Sequence, residues 1–217
     1  MTSVGLLGGT FDPIHQGHLD VANAAHRALG LTHVLLVPSH VPPHRRTPVA
    51  SAAHRFAMVA LAAQFHPHLL VSDLEMESST PSYTSATLDR LAGRGFETSR
   101  LFFIAGADAF RDIGTWKDYP AILDRCHFVA VSRPGHPAPG LRLALPDLAE
   151  RMVDAPCDVP SNPAIVLVDA PTAPVSSTRV RERLRTHAPV DSLVPPAVAA
   201  YIEKHGLYID SAPGDLA

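Results

Sequence analysis

The sequence predicts an α/β domain with a doubly wound, mostly parallel sheet and helices on both faces. Three observations carry this. Short apolar runs rich in Val, Ile, Leu and Phe recur at residues 4–7, 33–37, 69–72, 101–105, 128–132 and 165–168. They are too short for helices, and they are continuous rather than alternating, as strands buried on both faces are. Segments with helical spacing of apolar residues lie between them. No repeat or composition break interrupts the series, so residues 1–208 read as one domain and 209–217 as a frayed tail.

Each element has a local reason. The run at 4–7 ends at Gly8-Gly9. A helix over 17–29 follows from Leu19, Ala22, Ala25 and Leu29, with Gly30 as its stop. Pro38 ends the second strand, and residues 38–49, dense in Pro, His and Arg, read as a loop. Ser51 caps a helix reaching Phe65, with Phe56, Val59, Ala60 and Ala63 on one face. After the third strand, a helix is expected over 84–92. The fourth strand ends at Gly106, and a helical turn over 121–124 precedes the fifth. A helix over 141–152 is expected despite Pro146, followed by the sixth strand, then helices over 177–185 and 197–205.

Composition narrows the function. Lys and Arg number 18 against 21 Asp and Glu, a net charge of -3, which argues against a protein that coats nucleic acid or an acidic membrane. With 46% hydrophobic and 18% charged residues, wholesale disorder is excluded. The two cysteines, Cys126 and Cys157, exclude a disulfide framework and a four-cysteine zinc site, and read as reduced thiols. No apolar run reaches the ~18 residues of a membrane span. Residues 1–9 carry no basic leader or small-residue cleavage site, so a cytoplasmic protein is expected.

Parallel sheets bind ligands beyond the carboxyl ends of their strands, and two motifs fall there. The first is GGTFDPIHQGH, residues 8–18. Gly8 and Gly9 let backbone N–H groups approach a phosphate. His15 and His18 stand beside a helix start, where the dipole and free N–H groups favour anions. A His15–His18 zinc pair is the metal alternative, but it lacks a nearby third ligand. A plain glycine turn with two exposed histidines is the other. The second motif, VSSTRVR at 175–181, offers the hydroxyls of Ser176, Ser177 and Thr178. Arg179 and Arg181 oppose the dipole of the helix they open, by about 0.3–1 kcal/mol each. A bound anion would account for that cost; a Ser/Thr cap with solvated arginines is the competing reading.

Together, GGTFDPIHQGH and SSTRVR resemble the paired signatures of the nucleotidyltransferase superfamily. Within it, three further segments are similar to bacterial nicotinate-nucleotide adenylyltransferases: VPPH at 41–44, PSYT at 81–84, and Gly106-x-Asp108 followed by Trp116. The ending YI…GLY, at 201–208, matches as well. The resemblance implies a Rossmann-like nucleotidyltransferase fold and transfer of AMP from ATP to nicotinate mononucleotide, without a covalent enzyme intermediate. It implies that His15, His18 and Arg181 are catalytic. Gly8, Gly9, Thr10, Phe11, Gly106, Asp108, Ser176, Ser177 and Thr178 would contact ATP. His44, Arg45, Tyr83, Thr84, Trp116, Lys117 and Arg133 would serve the acceptor. Mg2+ would travel with ATP, with no dedicated protein metal site. ATP and nicotinate mononucleotide are the implied substrates, with no nucleic acid or membrane partner. Two readings compete: a different acceptor (nicotinamide mononucleotide or phosphopantetheine), and a nucleotide-binding regulator without turnover.

Overall fold

The computed structural model describes residues 3–42, 47–76, 81–158 and 160–209. Its strands are β1 (Val4–Gly9), β2 (His33–Pro38), β3 (Leu69–Val71), β4 (Leu101–Gly106), β5 (His127–Val131), β6 (Met152–Asp154) and β7 (Ile165–Val168). They form one sheet in the order β3-β2-β1-β4-β5-β7-β6, and every pairing is parallel. The helices are α1 (Gln16–Leu29), α2 (Ala52–Ala63), α3 (Thr84–Gly93), α4 (Ala107–Phe110), α5 (Leu141–Ala144), α6 (Ser177–Arg185) and α7 (Pro196–Lys204).

The continuous apolar runs are explained by two cores, one on each face. Leu7, Phe102, Ile104, Val129, Val131, Val166 and Val168 pack with α1, α2, α6 and α7 residues such as Leu19, Met58, Val180 and Ile202. Their alternating neighbours Leu6, Leu101, Phe103, Phe128, Ala130, Ile165 and Leu167 pack on the other face, with Leu88, Leu91 and Phe110 of α3 and α4. Each large side chain so buried contributes about 1.5–3 kcal/mol.

One expected helix is corrected. Residues 141–152 do not form a single helix. Pro146 has no N–H and crowds the residue before it out of the helical region. Leu145 accordingly sits at φ -131°, ψ 66° and ends α5. A 3-10 turn covers Pro146–Arg151, and Met152 opens a strand, β6. At three residues (Met-Val-Asp), β6 is too short to leave a periodic signal. The α4 turn after β4 was likewise not expected. Elsewhere the boundaries hold to within one or two residues. Ser51 caps α2, its hydroxyl accepting the His54 N–H at 3.3 Å.

The sheet winds outward from β1 in both directions, toward β2 and β3 on one side and β4 and β5 on the other. The crevice between the carboxyl ends of β1 and β4 is therefore the topological switch point, where open α/β sheets receive ligands. Gly8-Gly9 and Gly106 end those two strands.

Candidate active site

The turn after β1 is tightly built. Phe11 is 1% exposed and adopts φ 49°, a left-handed conformation that a bulky residue enters only under constraint. Its ring lies on Gly9, where a Cβ would meet Phe11 carbons at 2.9 Å. His15 then caps α1 with extended backbone. The His15 and His18 rings stack, with centroids 3.6 Å apart and planes 19° from parallel. The His15 N–H donates to His18 Nδ1 at 3.2 Å. An Nδ1 that accepts carries no proton, so His18 holds its ring proton on Nε2, as a donor. His15 is 2% exposed. Burial, reinforced by the Arg133 charge, pushes its pKa down to about 3, so the ring is neutral. Its Nδ1 is buried without a partner among the described residues.

The second motif meets the first. Ser176 caps α6, its hydroxyl accepting the Arg179 N–H at 3.2 Å. Ser177 Oγ donates to the Pro13 carbonyl at 2.9 Å. Arg181 Nη1 donates to the Asp12 carbonyl at 2.6 Å, and Nη2 donates to Thr178 Oγ1 at 3.3 Å. Arg181 Nε is buried without a partner among the described residues. Arg179 turns aside to the Pro174 carbonyl. The amino ends of α1 and α6 thus share one end of the sheet, with imidazoles from one and hydroxyls and a guanidinium from the other.

Arg133 was expected on the acceptor side, but its guanidinium is engaged in the scaffold. Nη1 donates to the Gly17 carbonyl and Nη2 to the Val175 carbonyl, each at 3.0 Å. It braces both motifs from below. Residue 17 must be glycine for this, since a Cβ would lie 2.5 Å from Arg133 Nη1. Gly106 sits against the Arg133 stem and the Asp108 carboxylate, and Asp108 is otherwise exposed at the start of α4.

Two of the residues expected on the acceptor side, Tyr83 and Lys117, lie together. Tyr83 caps α3 without a side-chain bond to its N–H groups, and Thr84 is the first helical residue. Lys117 Nζ stands 4.8 Å from the Tyr83 ring centroid, a cation–π contact that joins the α3 start to the loop after α4. Trp116 is half-buried, edge-on to Phe103 at 5.6 Å and to Phe128 at 6.4 Å. His44 and Arg45 lie outside the described residues.

Sequence reasoning missed Asp12, Arg55 and Tyr208. Asp12 accepts the Val49 and Ala50 N–H groups at 2.8 and 3.1 Å and the Tyr208 hydroxyl at 2.8 Å. Arg55 is 1% exposed and, among the described residues, donates to carbonyls: Thr10 and Ser39 at 2.7 Å, Ala50 at 3.2 Å and His40 at 3.3 Å. It ties the turn after β1 to the loop after β2. An arginine among the apolar residues of α2 was the available signal.

Comparison with known proteins now decides the family. Residues 6–183 match the cytidylyltransferase-like family model. The chain is 43% identical over 208 residues to the "Probable nicotinate-nucleotide adenylyltransferase" of Cronobacter sakazakii, covering 93% of each. It is 44% identical over 205 residues to the protein of the same description from Thermus thermophilus, covering 94% of this chain and 98% of the relative. The chain belongs to the nicotinate-nucleotide adenylyltransferase family. Its fold matches the solved Plasmodium falciparum nicotinic acid mononucleotide adenylyltransferase complexed with NaAD, with a TM-score of 0.75 at 18% identity, over 96% of this chain and 98% of that one. In this member of the family, no group of three or more His, Cys, Asp or Glu among the described residues is arranged to hold a metal ion.

Proposed function

We propose that this chain transfers the adenylyl group of ATP to nicotinate mononucleotide, giving nicotinate adenine dinucleotide and pyrophosphate in NAD biosynthesis. The reading rests on family membership and, within the molecule, on the meeting of the His15–His18 turn with the Ser176–Arg181 helix start at the switch point. In the reaction, a phosphate oxygen of the mononucleotide attacks the α-phosphorus of ATP in line. A new P–O bond forms, the bond from the α-phosphorus to the α,β-bridging oxygen breaks, and pyrophosphate departs with its electrons. Such a transfer needs positioning and charge neutralisation rather than a protein nucleophile.

The residues suit these roles. The Gly8–Thr10 backbone lines the triphosphate, with Phe11 beneath it. His18 donates from Nε2 to the α-phosphate, and neutral His15 orients it. Ser176, Ser177, Thr178 and Arg181 hold the β- and γ-phosphates as they become pyrophosphate. Gly106 and Asp108 flank the nucleoside. Magnesium arrives as part of the ATP substrate, where it neutralises triphosphate charge. On the acceptor side, Trp116 offers a face for the pyridine ring, and the α3 N–H groups at Tyr83 and Thr84, with Lys117, favour a carboxylate. His44 and Arg45 are assigned to the phosphates from their motif. Arg133 acts beneath the site. The cytoplasm is the compartment this chemistry implies. No described helix is long and apolar enough to cross a membrane.

Pyrophosphate release, assayed with ATP, magnesium and a panel of acceptors, tests the reading. Nicotinate mononucleotide should turn over far faster than nicotinamide mononucleotide, because donors built for a carboxylate lose a charged partner with the amide. Equal rates would contradict the acid preference. Turnover only with phosphopantetheine would overturn the acceptor assignment. His18→Ala should lose about 10²–10³ in kcat while still binding ATP. Native protein that binds ATP and transfers to no acceptor would instead be a regulator.

A further inference from the structure

We propose that Tyr208, from the carboxyl-terminal segment, is a positioning residue that keeps the Arg181 guanidinium available to phosphate by holding the Asp12 carboxylate away from it. This rests on the adenylyl-transfer reading above. Asp12 is 5% exposed and its carboxylate lies near Arg181. A buried carboxylate beside an arginine would ordinarily close on it in a bidentate pair. Here it does not. Arg181 Nη1 is 3.9 Å from Asp12 Oδ2, and it donates instead to the Asp12 backbone carbonyl at 2.6 Å.

The reason lies in what else the carboxylate receives. Val49 N–H reaches Oδ2 at 2.8 Å, while Ala50 N–H and the Tyr208 hydroxyl reach Oδ1 at 3.1 and 2.8 Å. Three donors fix the carboxylate plane. Two are backbone groups at the exit of the loop after β2; the third comes from a residue 196 positions away in sequence. Tyr208 is itself fixed, being 5% exposed, packed in the same core as Val198 and Ile202, and held at φ 66°. Burial, and then the Asp12 charge, push its hydroxyl pKa up, so it remains a donor across the working pH range. Without that hydroxyl, Oδ1 keeps the Ala50 N–H alone among the described residues. With two donors left in place of three, the carboxylate can turn toward Arg181 and neutralise the charge that the departing pyrophosphate needs.

A double-mutant cycle of Tyr208→Phe and Arg181→Ala tests this, since the Phe variant keeps the buried ring and deletes only the hydroxyl. It is read both as kcat/KM for ATP and as pyrophosphate affinity by calorimetry. Tyr208→Phe should lower both about tenfold in the native background and less than about twofold when Arg181 is already alanine. The KM for nicotinate mononucleotide should stay within about twofold, which a general loss of structure would not give. Equal losses in the two backgrounds, or no loss in the native one, would overturn the proposal. If Tyr208→Phe does not fold, Asp12→Asn removes the carboxylate that would neutralise Arg181, so pyrophosphate affinity should stay within about twofold of native or rise, and a tenfold loss would overturn the proposal. Native protein that transfers no adenylyl group would count against the reaction alone, because the calorimetric cycle still decides the coupling.

Discussion

The imidazoles of His15 and His18 lie face to face, 3.6 Å between centroids, and the His15 N–H donates to His18 Nδ1. Two cationic rings would not be held in this way. The pair is held by that bond, in which the His15 N–H fixes the tautomer of His18 with its ring proton on Nε2.

This arrangement has a signature in stability against pH. The His15 pKa is about 3 in the fold, below the 6.5 of an ordinary histidine. The unfolded chain therefore binds the proton first. No stability is lost through this group above pH 6.5; it is lost as pH falls from there toward 3. The slope contributed is up to about 1.4 kcal/mol per pH unit. His15→Asn keeps a capping side chain and removes the titration. Urea unfolding of both proteins between pH 7.5 and 5, a range of roughly two and a half units, should show the native protein losing stability relative to the variant on the acid side. Parallel curves would contradict a buried neutral His15.

Arg55 is a fully buried guanidinium whose listeners are four carbonyl groups, those of Thr10, Ser39, His40 and Ala50. Arg55→Met keeps the stem and leaves those acceptors without donors. Chemical denaturation should show a loss of about 3–5 kcal/mol. A loss below about 1 kcal/mol would mean that the loops after β1 and β2 hold themselves.

Trp116 rests edge-on against Phe103 and Phe128 yet remains half-buried, which leaves a face for a ring. Trp116→Ala should raise the KM for nicotinate mononucleotide about tenfold or more, at roughly 1–2 kcal/mol of stacking, with the KM for ATP little changed. Steady-state kinetics with each substrate varied in turn checks this. An equal rise for ATP would make Trp116 a structural residue only.

The layered core was legible because strands buried on both faces leave runs such as LFFIA and FVAVS that no other element explains. Ser177–Arg185 was legible to its ends because a Ser cap and a run of helix formers mark both boundaries. The β6 strand was not, since three residues carry no period. The two motifs were legible as candidate phosphate sites, but their contact with each other was not. Ser177 to Pro13 is a bond between residues 164 positions apart, and only the strand order brings β1 and β7 connections to one end of the sheet. The scaffold contacts of Arg133 were hidden for the same reason. A cation after a strand looks ligand-facing in sequence, and only its two carbonyl partners reveal a brace. Asp12 hid within the Phe-Asp-Pro turn, because its partners at Val49, Ala50 and Tyr208 are all distant in sequence.

The convergence of the two motifs on one triphosphate is tested most directly by NMR of the native protein, with the histidine ring and arginine guanidinium nitrogens labelled and ATP titrated in with magnesium. The His18 and Arg181 signals should both move, along one binding curve with a single dissociation constant and one ATP per chain. Movement of only one of them, or two curves with different midpoints, would place the imidazoles and the guanidinium on separate ligands and contradict the account.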